Sequence, residues 1–372
     1  MKTSRLDSRR WILVVASIAF LLSAGMFVRL LAENDWDPSL FVTFGEDAPA
    51  ITEYGESVLG REVVVRPDGG HDGKFFFIQA NDPWLLDPRE NIELVDRPTY
   101  RAQRMLYPVV ASLGGVLDAG AIVWAMVVVN LCAMTAGSWA VARLAADLGG
   151  SPFWGLAFVA NPGFISEQLI DGSGIVAAAA AFWAIQMLNR GRWAAGPVLL
   201  AGAVLAREAT LVVALGVAVW AWRYDNRRRA VPVLVVPVLA ALLWAVYVRI
   251  RLDGGAVVPE VNEIGLPFAG LIATFQYRSV DIVHMVARGA IVLLFALYLR
   301  QWFVQKGSLV AWAFVGFVPL ALLFSDLVWA SYVDITRAVA PLITALFLLY
   351  FVTGRSGSSP ARAGGVGIQI GQ

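Results

Sequence analysis

Long apolar runs separated by short polar segments dominate the sequence. A transmembrane helix needs roughly 20 mainly apolar residues. The pattern predicts ten spans, at residues 11–31, 121–144, 152–170, 174–188, 194–205, 209–222, 231–250, 286–304, 309–328 and 338–352. Residues 105–120 begin with an apolar run that is too short to span easily, and we interpret this segment as an interfacial or re-entrant helix. The predicted fold class is an all-α polytopic membrane protein.

The composition agrees with membrane insertion. Of the 372 residues, 58% are hydrophobic and 15% are charged, whereas about 25% of residues are charged in a typical soluble domain. Mean hydropathy is +0.67, which excludes a water-soluble enzyme. A net charge of +1 argues against a basic nucleic-acid binder, so we expect no nucleic-acid partner. The single cysteine, Cys132, excludes an intrachain disulfide and a cysteine-based zinc site.

Basic residues in short loops set the expected orientation, because cytoplasmic loops are enriched in Lys and Arg. With the N-terminus inside, the basic residues at inner ends are Arg143, Arg190, Arg192, Arg223, Arg227, Arg228, Arg229 and Lys306. Residues 1–10 and the Gly- and Ser-rich tail at 354–372 are then cytoplasmic, in a cell (inner) membrane. We interpret residues 11–31 as a retained span, although a cleaved signal peptide looks similar. Arg249 and Arg251 fall outside and are exceptions to the rule.

Residues 32–104 form the only sizeable segment outside the predicted spans. They contain 15 of the 28 acidic residues but only 7 of the 29 basic ones, which predicts an acidic extracytoplasmic loop. Within it, residues 62–66 are predicted to form a strand. The sequence KFFFIQA at residues 74–80 is predicted to form a helix lying on the membrane, with its aromatic residues at the interface.

The loop contains three short motifs: HDGKFFF at residues 71–77, ANDP at 80–83 and DRPTYR at 96–101, followed by Arg104. A plain interpretation is a solvated loop with an amphipathic anchor. A functional one is a carboxylate, Asp72, held at the membrane surface beside a lipid-linked substrate. Gly73 would permit a tight turn or a close backbone approach there.

These motifs, together with one N-terminal span, a long outer loop and many short-looped spans, resemble the membrane glycosyltransferases of the GT-C superfamily. The match covers residues 71–108 and extends loosely through NPG at 161–163 and Arg207-Glu208 to near residue 350. His71 stands where relatives carry Tyr or Trp. The resemblance implies a polyprenyl-phosphate sugar donor, a glycan, lipid or protein acceptor, and Asp72 as the catalytic base of an inverting transfer.

Charged residues within or beside the predicted spans require an explanation, because inserting a charge at the bilayer centre costs roughly 2.5–3.5 kcal/mol. The expected topology places all of them near outer span ends: Glu167, Asp171, Arg207, Glu208, Asp326, Asp334 and Arg337. For each of them, the simpler interpretation is interfacial solvation or helix-end capping. Two short helices meeting at Arg207-Glu208 would either form a local ion pair or point Arg207 at a phosphate, which its planar guanidinium suits.

The predicted site combines these residues with the loop. Asp72 is the candidate base. The candidate phosphate ligands are Arg207, Arg337, Arg249, Arg251, Arg101 and Arg104, and the supporting residues are Gly73, Asp82, Glu208, Asp171 and Asp334. A separation of about 10–15 Å between Asp72 and the nearer of Arg207 and Arg337 would hold a sugar phosphate, since direct contacts fall near 3 Å on each side.

No cofactor is firmly indicated. A divalent metal ion bound by His71, Asp72 and His284 is a weak candidate. The sequence has neither a P-loop nor a dinucleotide glycine pattern, which argues against ATP hydrolysis and nucleotide-dependent redox chemistry.

Two other classes stay open, namely a secondary transporter or lipid flippase, and a non-catalytic scaffold subunit. An enzyme predicts a deep polar cavity that opens outward beside Asp72. A transporter predicts a pathway to both sides, often with repeated halves, and a scaffold predicts no cavity.

Overall fold

The computed structural model describes residues 2–67, 69–252, 264–277 and 282–352 and is almost entirely helical. Its named strands are β1 (Phe44–Gly45) and β2 (Val65–Arg66), which pair in parallel. The predicted tail at 354–372 lies outside the described residues. The chain is an all-α membrane protein.

The α-helices follow one another with short connections. In chain order they are α1 (Lys2–Ala32), α2 (Ser39–Val42), α3 (Pro49–Leu59), α4 (Gly73–Asn81), α5 (Arg89–Leu94), α6 (Pro98–Arg101), α7 (Leu106–Ala111), α8 (Gly120–Asp147), α9 (Leu156–Val159), α10 (Pro162–Leu169), α11 (Gly174–Asn189), α12 (Ala195–Ala206), α13 (Leu211–Tyr224), α14 (Arg227–Arg251), α15 (Ala269–Tyr277), α16 (Ile282–Val304), α17 (Leu309–Val315), α18 (Phe317–Leu322), α19 (Asp326–Ala330) and α20 (Tyr332–Phe351). Short 3₁₀ segments occupy Ser112–Val116, Pro152–Gly155 and Glu208–Thr210.

Five helices in the described part of the chain are long and apolar enough to cross a membrane: α1 (from Ser8), α8, α14, α16 and α20. Shorter apolar segments accompany them, at Leu106–Val116, Gly174–Asn189, Ala195–Ala206 and Leu309–Leu322. This arrangement is that of a multi-pass membrane protein, and the count of ten spans stays a prediction. Residues 2–10, predicted as a tail, instead continue α1 as helix.

Two predicted spans are not continuous helices. Residues 152–170 divide into a 3₁₀ turn, α9 and α10, and residues 309–328 divide among α17, α18 and the start of α19. The first break is at Asn161, whose side chain accepts a hydrogen bond from the backbone N–H of Gly163. Its Nδ2 donates to the carbonyl of Ala340 at 2.8 Å and to Thr344 at 3.0 Å. Because α20 supplies these partners, the chain can break inside the protein without leaving buried polar groups unpaired.

The helix connections gather at two opposite ends of the bundle. At one end, called the loop end, residues 33–67 and 69–104 pack. Helices α10, α12 and α18 end there, and α11, α13 and α20 begin there. At the far end, Arg190 pairs with Asp147, and Trp220 donates to the carbonyl of Gly307 at 2.8 Å. α11 joins the two ends, since Gly174 lies beside Arg207 at the loop end and Asn189 lines a cavity at the far end.

The acidic loop is a folded layer rather than a surface flap. Its apolar residues form a buried cluster with α7 and α8. Helix α4 confirms the predicted helix at 74–80, but Phe76 and Phe77 are fully buried, so its predicted location on the membrane surface is wrong. Phe44 and Tyr54 cover Phe77 edge-on. The predicted strand at 62–66 is limited to Val65–Arg66.

Candidate functional site

A cavity of about 400 Å³ opens at the loop end, between the acidic loop and the ends of the apolar helices. Its polar wall contains six cationic side chains and four carboxylates, and its other wall is apolar. The cations are Lys74, Arg97, Arg101, Arg104, Arg207 and Arg337; the carboxylates are Asp72, Asp96, Glu208 and Asp334; the apolar wall is Phe324, Leu327, Val328 and Ala338. We call it the arginine cavity.

Asp72 lies at the centre of the polar wall. Arg101 Nη1 donates a hydrogen bond to its Oδ1, and Arg337 Nη2 donates to its Oδ2 at 3.0 Å. Arg104 Nη1 is 3.9 Å from the same Oδ2. The separation of about 10–15 Å that would hold a sugar phosphate between them is therefore not observed for Arg337, which contacts Asp72 directly.

The backbone that carries Asp72 is wedged between two other segments. A Cβ atom on Gly73 would lie 2.7 Å from the carbonyl oxygens of Ile170 and Val42. Only glycine permits this approach without moving one of those backbones. The close packing fixes Asp72, the residue before α4, against the end of α10.

Glu167 is the buried carboxylate that pairs with both Arg207 and Arg337. Its side chain is 1% exposed, and its Oε1 accepts from Arg207 Nη1 at 2.6 Å and from Arg337 Nε at 3.0 Å. Its Oε2 accepts from the backbone N–H of Gly174 at 3.1 Å. Buried charges require such pairing, and the shared carboxylate fixes two guanidinium groups from separate parts of the chain, Arg207 after the end of α12 and Arg337 in α20.

Arg207 and Glu208 do not pair with each other, so the interpretation of these two residues as a local ion pair is wrong. The two short helices do meet here, because α12 ends at Ala206 and Arg207 is extended, with φ −157° and ψ 116°. Consecutive side chains of extended backbone point to opposite sides. Arg207 accordingly reaches Glu167, whereas Glu208 binds Arg104 at 2.8 Å.

The loop arginines are held by acids and aromatic rings. Arg101 Nε donates to Asp96 at 3.0 Å, and its guanidinium lies 4.4 Å from the centre of the Phe75 ring. The guanidinium of Arg104 lies 4.7 Å from the centre of the Tyr100 ring. Such cation–π contacts orient a guanidinium, so these two arginines face the cavity in fixed positions.

The ion pairs change the acidity of Asp72. Partial burial acts to raise the pKa of its carboxyl, but the charges of Arg101, Arg337 and Arg104 outweigh burial and hold this pKa well below its usual value. Burial and the charge of Arg337 lower the pKa of His71. In this state Asp72 is ionised and is a weak base.

Gly73 and His284 do not line the arginine cavity, and four other predicted site residues also lie outside it. Asp82 caps the following turn, accepting from the backbone N–H groups of residues 86 and 87. Arg251 donates to the carbonyls of residues 85 and 86, and Arg249 is exposed and does not line the cavity. Asp171 is fully buried beside Asn130, whose Nδ2 donates to it at 3.2 Å.

The weak candidate metal site at His71, Asp72 and His284 has no support among the described residues. His284 Nδ1 accepts a hydrogen bond from the backbone N–H of Tyr332 at 3.2 Å. Both oxygens of Asp72 contact arginines. In the described ranges, no group of three His, Cys, Asp or Glu side chains could hold a metal ion. The residues present do not fit a metal, and we assign the site none.

Sequence reasoning missed several site residues. Glu167 was recognised as a buried charge but not as the common partner of Arg207 and Arg337. Lys74, Asp96 and Arg97 also line the cavity. The sequence did point to these three residues, since all of them belong to the HDGKFFF and DRPTYR motifs.

Comparison with models of known protein families, with curated proteins and with solved structures finds no match for this chain. The geometry of the cavity therefore carries the functional argument.

Proposed function

We propose that this chain is a membrane glycosyltransferase that moves a sugar from a polyprenyl-phosphate donor to an acceptor outside the cytoplasm. The observation that carries the proposal is the arginine cavity, in which the carboxylate of Asp72 contacts Arg101 and Arg337 and which apolar side chains also line. Guanidinium groups suit phosphate oxygens. The apolar wall suits the first isoprene units of the donor. Leu327 on that wall is 44% exposed, and we place the rest of the lipid chain beyond it.

The proposed reaction is a single displacement. The acceptor hydroxyl oxygen attacks the anomeric carbon, and the bond from that carbon to the phosphate oxygen breaks. Asp72 takes the proton of the hydroxyl as general base. The polyprenyl phosphate leaves with the bonding electron pair, and Arg101, Arg207 and Arg337 stabilise the negative charge that develops on it. Attack opposite the leaving group inverts the anomeric centre.

The fold favours this function over transport. The residues that line the arginine cavity and those that line the cavity at the far end do not overlap. Midway along α11, Phe182 is fully buried and stacks on Phe314 with ring centres 4.7 Å apart. This aromatic contact lies between the two ends of α11, and it supports a site that opens at one end of the bundle rather than a continuous open channel through it.

We further propose that the chain crosses the inner membrane ten times, with both termini cytoplasmic and the arginine cavity on the outer side. Two observations support this topology. Helices α11, α12, α13 and α20 each run between the two ends of the bundle. Arg190 and Arg229 belong to the far end, which is the predicted inner one.

Cysteine labelling tests the orientation, because Cys132 is the single native cysteine. In a Cys132→Ser background, Asp87→Cys in the acidic loop and Arg192→Cys at the far end each place one thiol at an exposed position. In sealed right-side-out vesicles, a membrane-impermeant maleimide is expected to label the first variant at once and the second only after permeabilisation. The reverse pattern contradicts the proposed orientation.

Donor binding and turnover test the function. The purified full-length protein, reconstituted in liposomes, is incubated with a panel of polyprenyl-phosphate sugars and a glycan extract from the source membrane. We expect release of polyprenyl phosphate from one donor, matched by sugar on the acceptor. Absence of release from every donor contradicts the proposal.

A matched pair of variants locates the binding site. Arg207→Gln removes a charge from the cavity, and Arg249→Gln removes one from an exposed position outside it. A short polyprenyl phosphate at about 100 times its Kd adds about 2.7 kcal/mol to the unfolding free energy. We expect Arg207→Gln to lose most of the resulting rise in Tm and Arg249→Gln to keep it. Equal responses contradict the assignment of the phosphate site.

A further inference from the structure

The contacts of Asp72 have the geometry of a bound anion. Its two oxygens face guanidinium groups from two parts of the chain, Arg101 at the end of α6 and Arg337 in α20. A carboxylate and a phosphate present oxygens to guanidinium groups in the same way. Asp72 therefore fills the position at which these two arginines would hold the phosphate of a donor.

Each of the two arginines has further acidic partners besides Asp72. Arg101 Nε donates to Asp96 at 3.0 Å. Arg337 Nε donates to Glu167 at 3.0 Å, and its Nη1 donates to Asp334 at 3.2 Å. These contacts keep both guanidinium groups in place when Asp72 leaves. The NH₂ groups that now bind Asp72, Arg101 Nη1 and Arg337 Nη2, then become available to another anion.

We propose that Asp72 occupies the phosphate subsite in the ligand-free protein and that the phosphate of the donor displaces it from Arg101 and Arg337. This inference rests on the proposed function and adds a regulatory step to it. The donor must bind first, because only then is the carboxylate released towards the acceptor.

Displacement has a chemical consequence for the base. While Arg101, Arg337 and Arg104 surround it, the pKa of Asp72 is held well below its usual value, and such a carboxylate accepts a proton poorly. Losing two cationic contacts and gaining a neighbouring phosphate both raise that pKa. Asp72 thus becomes a competent base only when the phosphate of the donor occupies Arg101 and Arg337.

Affinity for a lipid phosphate tests the displacement. Farnesyl phosphate is titrated against the purified full-length wild type, Asp72→Asn and Asp96→Asn. Asp96→Asn is the control. Asp96 also lines the cavity and also pairs with Arg101, so this variant removes the same charge from the same place. Since a charge-assisted contact no longer has to be broken, we expect Asp72→Asn to bind about tenfold or more tightly than wild type. Asp96→Asn is expected to gain clearly less affinity than Asp72→Asn, because the side chain of Asp96 is 47% exposed and solvent screens its charge.

Two results would overturn the inference. One is that Asp72→Asn binds farnesyl phosphate no more tightly than the wild type. The other is that Asp96→Asn gains as much affinity, which would make the effect one of net charge alone. Neither result depends on turnover, so a failed displacement remains distinguishable from failure of the glycosyltransferase proposal, which is decided by wild-type sugar transfer.

A measurement on the wild type covers the case in which the Asp72 variant does not fold. In protein labelled with ¹³C-aspartate, saturating farnesyl phosphate is expected to shift an aspartate carboxylate band in the infrared difference spectrum, as the ion pairs of Asp72 break. Farnesol, which lacks the phosphate, is expected to leave the band in place. An unchanged carboxylate region at saturating farnesyl phosphate contradicts the displacement.

Discussion

Asp72→Asn is expected to lower the maximal rate of the proposed sugar transfer by about 10²–10⁴-fold, the usual contribution of a positioned general base. The amide keeps the size of the carboxylate but cannot take the proton of the acceptor hydroxyl. The rate is measured with donor and acceptor at saturation in liposomes, so that a change in binding does not enter the result. A rate near that of the wild type removes Asp72 from the base role.

The control for this variant lies in the same loop. Asp87→Asn makes the same chemical change at an exposed carboxylate that pairs with Arg89 and does not line the arginine cavity. We expect it to keep wild-type turnover. Asp72→Asn is also expected to bind lipid phosphate more tightly while it turns over more slowly. A merely misfolded variant would lose both properties, and this opposite response therefore separates a chemical defect from a structural one.

The location of the site was predictable because hydropathy identifies span ends. Arg207 and Arg337 interrupt or flank apolar runs, and basic inner loops assign both to the side of the acidic loop. The structure brings both into the arginine cavity with Asp72. Arg249 and Arg251 were assigned to the same side by the same rule. Hydropathy gives the depth of a residue but not the direction it faces, and Arg251 turns instead towards the carbonyls of residues 85 and 86.

The contacts within the site were not predictable from one sequence. Arg337 and Asp72 are 265 positions apart, and only the packing of α20 against the loop brings them into direct contact. The break within residues 152–170, by contrast, had a local signal. Asn161 followed by Pro162 is a typical helix start. Hydropathy averaged over a window of about 20 residues does not detect it.

Loss of the negative charge at Glu167 is expected to destabilise the whole loop end. Removing one partner of a buried ion pair typically costs about 3–5 kcal/mol, because the other charge stays buried without compensation. For Glu167→Gln we expect a loss toward the lower end of about 3–5 kcal/mol, since Arg337 keeps Asp72 and Asp334 as partners. The unfolding free energy is measured in mixed micelles with a rising fraction of SDS.

Glu208→Gln is the matched control, because Glu208 also pairs with a buried arginine, Arg104, but its side chain is 37% exposed. Water can replace part of that interaction, so the expected loss of stability is smaller. Equal losses for the two variants contradict the special position of Glu167.

A double variant identifies the cause of the instability. If the uncompensated charge of Arg207 is responsible, adding Arg207→Gln to Glu167→Gln removes that charge and recovers part of the lost unfolding free energy, as coupled neighbours do in a double-mutant cycle. Two independent losses would simply add, and that result contradicts a shared ion pair. Recovery of stability without recovery of donor affinity would then separate the two roles of this pair, because the fold needs the charges balanced, whereas the donor phosphate needs Arg207 itself.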